Sequence, residues 1–150
     1  MSNSRKRGKL FIVSAPSGAG KTTLCTNVLK KVSGIDRSIS YTTRGQRAGE
    51  VQGRDYHFVT EEAFKKMIEE GRFAEWAMVH GFYYGTDRRT IEERLHQGLD
   101  VLLNIDVQGG EELKRQYKDA VTIFIHPPSM EELKTRLLKR KSDSTNTIEK

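Results

Sequence analysis

The stretch from Leu10 to Thr23, LFIVSAPSGAGKTT, decides the fold. Leu10 to Val13 is a short, continuous apolar run, the pattern of a buried strand, and turn-forming residues follow at once. From Lys21 the pattern becomes helical: Leu24, Val28 and Leu29 fall on one face, and Gly34 ends the run after Val32 and Ser33. Strand and helix frame Ala15 to Thr22, APSGAGKT, which is the pattern G-x-x-x-x-G-K-[ST] with alanine in place of its first glycine. Pro16 restricts residue 15 to extended geometry, where alanine costs nothing. Gly18 and Gly20, between Ser17, Ala19 and the lysine, leave room for backbone N–H groups to close round a phosphate. The helix N-terminus, with Thr23 in its first turn, adds its dipole. Lys21 is expected to reach the β and γ phosphates of a nucleotide, and Thr22 to offer its hydroxyl to a bridging Mg2+.

The chain of 150 residues is one domain's worth, with at most an inserted lobe. Charged residues make up 31% and the mean hydropathy is −0.65, which argues against a membrane span and for a soluble, cytoplasmic protein. A net charge of +6 suits a site that collects phosphates as well as it suits nucleic acid, but no aromatic and basic residues interleave on a nucleic-acid platform. Part of the excess lies in the arm Arg5, Lys6, Arg7 and Lys9, read as a solvated, flexible segment over residues 1–8. The apolar run behind that arm is too short for a signal peptide. The lone cysteine, Cys25, reads as a packed, reduced thiol.

Further along, Arg37 to Thr42 reads as a second strand, running into a polar loop, TTRGQRAGEVQGRD, with three glycines. Tyr56 to Val59 is a short strand. Thr60 is placed as the N-cap of a helix with Glu61 and Glu62 at its positive end and Phe64, Met67 and Ile68 inward. Phe73 to Val79 and Phe82 to Tyr84 read as strands around a His80-Gly81 turn, making the middle third a small α+β insert. Ile91, Leu95 and Gly98 mark a helix. Val101 to Ile105 is an apolar strand, followed by a helix from Val107 to Tyr117 begun by the glycine pair at 109 and 110, and by a buried strand from Val121 to Ile125. Ser129 and Glu132 fit a capping box for a last helix carrying Leu133, Leu137 and Leu138. Asn104 and Asp106 share a strand face at its C-terminal end, where open α/β sheets place ligands. Asp106 suits a magnesium ligand; the alternative is an N-capping or turn aspartate before Gly109.

The loop SYTTRGQRAGEVQGRDYHF closely resembles the S-x-TTR-x-x-R-x-GE-x-x-G-x-DY-x-F signature of guanylate kinases. FAEWAMVHGFYYGT, NIDVQG and IHPPS are similar to further segments of that family, in its order, so that the resemblance runs from about Leu10 to Arg140. It implies an α/β fold: a P-loop parallel sheet with flanking helices plus an inserted GMP-binding lobe. The core would be 9–36 and 99–140, the lobe 37–98, its first strand shared with the core sheet, and 141–150 a partial lid and tail. It implies an ATP:GMP phosphotransferase that uses Mg2+ and acts on small molecules. Arg44 and Arg47, with Tyr56 and Tyr84, would bind the GMP phosphate, because guanidiniums and phenols suit a tetrahedral dianion. Ser40, Glu75 and Thr86 would read guanine, with Gly85, Asn104 and Asp106 beside them. A carboxylate there accepts from N1–H and the 2-amino group and leaves adenine without matching donors. Lys21, Arg44, Asp106 and the lid arginine Arg140 would carry catalysis, and Arg136 and Arg140 would bind ATP with the loop from Ala15 to Thr23.

Two departures from the family bear on the site. Asn104 stands where an acidic residue is common, though an amide still donates and accepts. After Arg140 the family continues with RG and an acidic lid segment, whereas Lys141 replaces that glycine here and the sequence stops at Lys150. The expectation is four core strands where the family has five, an open sheet edge and a chain truncated within its lid. The alternative is a guanylate-kinase-like module that binds GMP or a protein without turnover. Intact Lys21 and Thr22 disfavour it, because a binding module has no use for a γ-phosphate clamp.

Overall fold

The apolar run Leu10 to Val13 forms one of the two inner strands of a parallel sheet. The computed structural model describes residues 5–16, 20–126, 129 and 131. In it β1 (Leu10–Ser14) leads to α1 (Lys21–Lys31) and β2 (Ile35–Arg37), and β3 (Tyr41–Thr42) and β4 (His57–Phe58) flank the glycine-rich loop. Then come α2 (Glu61–Glu69), the hairpin β5 (Phe73–Val79) and β6 (Phe82–Asp87), α3 (Arg88–His96), β7 (Asp100–Asn104), α4 (Val107–Gln116) and β8 (Val121–Phe124). The first sheet has the order β2-β7-β1-β8, all parallel; the second has the order β4-β3-β6-β5, antiparallel except between β3 and β4.

Side-chain alternation sorts the first sheet's residues onto two covered faces. Leu10, Ile12, Val101 and Leu103 meet Ile91 and Leu95 of α3 and Leu113 of α4, all under 4% exposed. Val13 and Leu102 meet Cys25 of α1, with Phe11, Leu29 and Ile35 around them. Each large aliphatic side chain buried there contributes about 1.5–3 kcal/mol. The second sheet has its own cluster of Phe64, Met67 and Phe73, with Phe64 stacked on Phe73 and Tyr83. As expected, the Thr60 hydroxyl oxygen caps α2, accepting from the Ala63 N–H at 3.1 Å, and the hairpin turns at His80 and Gly81, both at positive φ.

Four expectations need correction. Leu24 is exposed, because the face of α1 against the sheet is the stripe Cys25, Val28, Leu29 at i, i+3, i+4. The run from Arg37 to Thr42 is not one strand: the Ser38 N–H makes the last bond to Leu102, and the chain crosses to the second sheet, where Tyr41 pairs with His57 and Gly85. Gly109 and Gly110 do not begin α4; Asp106 caps it, and the glycines lie buried in its first turn. Lastly, β8 is exposed at all four residues, as the outermost strand beside β1. The helix expected around Leu133 to Leu138 lies outside the described residues. No helix among the described residues is long and apolar enough to cross a membrane.

Candidate active site

The C-terminal ends of β1 and β7 lie side by side, with Val13 opposite Asn104 and the Ile105 N–H donating to the Val13 carbonyl at 3.1 Å. From β1 the chain passes through buried Ala15 and half-buried Pro16, and Gly20, at a φ of 91°, caps α1 in the left-handed conformation. Ser17, Gly18 and Ala19 lie outside the described residues. The first turn of α1 carries no acidic residue, so its positive end is not neutralised from within. Lys21 Nζ donates to the Ile105 carbonyl at 3.3 Å, which sets the ammonium over the strand ends, while Thr22 and Thr23 are exposed. Asp106, the next residue after Ile105, accepts the Gln108 N–H at 3.1 Å through Oδ2.

The glycine-rich loop folds back so that the Arg44 guanidinium and the Arg47 backbone N–H meet one carboxylate. Arg44 is 8% exposed and donates from both Nη atoms to Glu50, at 2.8 and 3.0 Å, while Glu50 Oε2 also accepts the Arg47 N–H at 2.8 Å. The Arg44 guanidinium sits 5.3 Å from the Tyr56 ring centre, and the Tyr84 hydroxyl also acts on it. Burial alone would lower the Arg44 pKa; Glu50 and Tyr84 outweigh it and hold the group firmly charged. Burial pushes the Glu50 carboxyl up, and hydrogen bonds from Arg44 and Arg47 bring it below its ordinary value. Burial raises the Tyr56 phenol, with its ring edge-on to Tyr84 at 6.0 Å. Arg44, Tyr56 and Tyr84 are thus brought together, with the Arg47 backbone tied to the same Glu50. Glu50 joins them and was missed in the sequence, where its signal was an acid three residues after Arg47 in the same loop.

A third group lies between the sheets. Glu75 and Thr86 are register partners on β5 and β6, and the Thr86 hydroxyl donates to Glu75 Oε1 at 2.6 Å. Both are buried, at 6% and 0% exposure. Glu75 lines a cleft of about 520 Å³ with Ala77, Gln108 and Gly109. Burial pushes the Glu75 carboxyl up to about 7; Asp106 and Glu112 add repulsion, and the Thr86 bond opposes them. A Cβ on Gly109 would lie 2.6 Å from Glu75 Oε2, so the glycine is what lets α4 approach the carboxylate. Ser40 is buried and its carbonyl accepts the His57 N–H at 2.9 Å; Asn104 closes β7. Gly85 faces the opposite way, its α-carbon under the rings of Phe64 and Phe73. Arg136 and Arg140 lie outside the described residues.

Parallel strands whose C-terminal ends lie under Lys21 at the start of α1, with a second sheet that carries Arg44 and the buried Glu75, define an α/β fold with an inserted lobe. The family model for guanylate kinase matches residues 7–150. A guanylate kinase of Geobacter metallireducens is 52% identical over 144 residues, covering 96% of this chain and 71% of its own length. That of Syntrophotalea carbinolica is 53% identical, covering 96% and 69%. The crystal structure of guanylate kinase from Anaplasma phagocytophilum superposes with a TM-score of 0.79 at 38% identity, covering 90% of this chain and 69% of that one. This chain belongs to the guanylate kinase family.

Proposed function

We propose that the chain transfers the γ-phosphoryl group of ATP to GMP, giving ADP and GDP. The observation that carries the reading is that the Arg44, Arg47, Tyr56, Tyr84 group and the Glu75–Thr86 pair share one lobe, while Lys21 lies over the strand ends of the core. Residues 37–98 are then the acceptor lobe, and 9–36 with 99–140 the donor core. Arg44, Arg47 and the two phenols take the GMP phosphate, and Glu75, held by Thr86, accepts from guanine, with Ser40, Gly85, Asn104 and Asp106 around the base. The loop from Ala15 to Thr23 takes the donor phosphates, and the resemblance to the family assigns Arg136 and Arg140 to the same substrate.

An oxygen of the GMP phosphate attacks the γ phosphorus in line, the bond to the β–γ bridging oxygen breaks, and ADP leaves with the electron pair. The phosphate is already a nucleophilic anion, so no protein base is needed, and the residues act by positioning and by neutralising charge. Thr22 and Asp106 fit Mg2+: both present hard oxygens, and Asp106 uses only Oδ2 for its cap. When bound, Mg2+ neutralises the phosphate oxygens and shields the developing charge. Both substrates are small molecules of the cytoplasm, where we place the reaction.

The test is a coupled assay with ATP, Mg2+ and either GMP or AMP. Turnover with GMP, lost by at least about 100-fold in Lys21→Ala, is the expected result. Preference for AMP, or GMP turnover untouched by the substitution, would overturn it.

A further inference from the structure

Arg37 ends β2, and side-chain alternation puts it on the face of Ile35, which packs with Cys25 and Leu102 under α1. From there its guanidinium leaves the core sheet for the other lobe: Nη2 donates to the Asp55 carbonyl at 3.1 Å. Its Nε is buried and has no hydrogen-bond partner among the described residues. Arg44 is clasped bidentately by Glu50, whereas Arg37 directs this donor at a neutral carbonyl. A buried donor left unpaired carries a cost that a packed alkyl side chain would avoid.

We propose that Arg37 is a positioning residue for the acceptor phosphate, acting through Tyr56: it ties the Asp55–Tyr56 backbone to the core sheet and holds a third positive charge behind the phenol. This rests on the assignment of Arg44, Arg47, Tyr56 and Tyr84 to the GMP phosphate. The reach of the charge is visible in its neighbours. Arg37 favours the ionised forms of the Tyr56 phenol, the Asp55 carboxyl and the Cys25 thiol, in each case against burial. The guanidinium therefore lies between the phosphate-loop helix and the acceptor loop, where a dianion entering between the lobes feels it and a neutral nucleoside does not.

The experiment measures equilibrium binding of GMP and of guanosine to the full chain and to Arg37→Met and Arg37→Lys. Arg37→Met is expected to weaken GMP by about tenfold, through loss of a unit positive charge beside the acceptor loop, and guanosine by less than about twofold. Arg37→Lys, which keeps the charge and a donor, is expected to stay within about threefold of the parent for GMP. Equal weakening of GMP and guanosine in the methionine variant would show a merely structural role and overturn the proposal. So would unchanged GMP binding, or a lysine variant as weak as methionine. If the parent chain itself binds GMP no better than guanosine, the failure lies instead with the phosphate assignment of Arg44, Arg47, Tyr56 and Tyr84.

Discussion

Glu75 enters the folded chain as an acid that keeps its proton to about pH 7, against an ordinary value of 4.5. The native state binds that proton more tightly than the unfolded chain, so its contribution is fully favourable below about pH 4.5 and is lost as pH rises through about 7. Glu75→Gln keeps an oxygen for the Thr86 hydroxyl and removes the charge. It is expected to be more stable than the parent by on the order of 2–3 kcal/mol at pH 8, and equal to it near pH 4, in urea unfolding at the two pH values. A variant less stable at pH 8 would mean that the carboxylate is better solvated than its 6% exposure implies. In catalysis the same change should cut the preference for GMP over AMP by at least about tenfold, since an amide no longer matches both guanine donors.

At the scale of elements, the hairpin of β5 and β6 is a divider. One face carries Glu75, Ala77, Tyr84 and Thr86, of which Glu75 and Ala77 line the cleft; on the other, Gly85 leaves room for the rings of Phe64 and Phe73. A methyl at Gly85 would come within 2.7 Å of Phe73 and 2.9 Å of Phe64. Gly85→Ala is expected to cost about 1–3 kcal/mol by overpacking, read as a lower urea midpoint with unchanged slope. Thr60→Ala, which removes only the α2 cap, should cost about 1 kcal/mol and leave the GMP KM unchanged. The hairpin and α2 were legible because period, turn and cap agree within a dozen residues. The crossing at Ser38 to Ser40 was not, because its alternation continues unbroken while the hydrogen-bonding partner changes sheets. Glu50 was equally hidden, since local sequence does not show which cations a loop will fold back upon. The exposed β8 reads as buried because its composition matches that of the inner strands, and rank within a sheet is a long-range fact.

For the whole molecule, two sheets with separate apolar clusters imply two levels of stability. β3 pairs with β4 and β6 over only two residues each, whereas β1 pairs over four residues with β7 and with β8 and packs against α1 and α4. Amide hydrogen exchange should find Thr42 and Phe58 opening at lower free energy than Ile12 and Leu103, and the reverse order would show that the lobe does not open independently of the core. The buried carboxyl beside Thr86 has one more consequence, for heat rather than stability. At pH 6 the empty molecule holds Glu75 protonated, and the proposed pairing with guanine needs it ionised, so GMP binding is expected to expel a proton into the buffer. Binding enthalpies measured in buffers of different ionisation heat should therefore diverge at pH 6 and converge at pH 8. Subtracting the same series for Glu75→Gln isolates that proton from the one GMP's own phosphate releases.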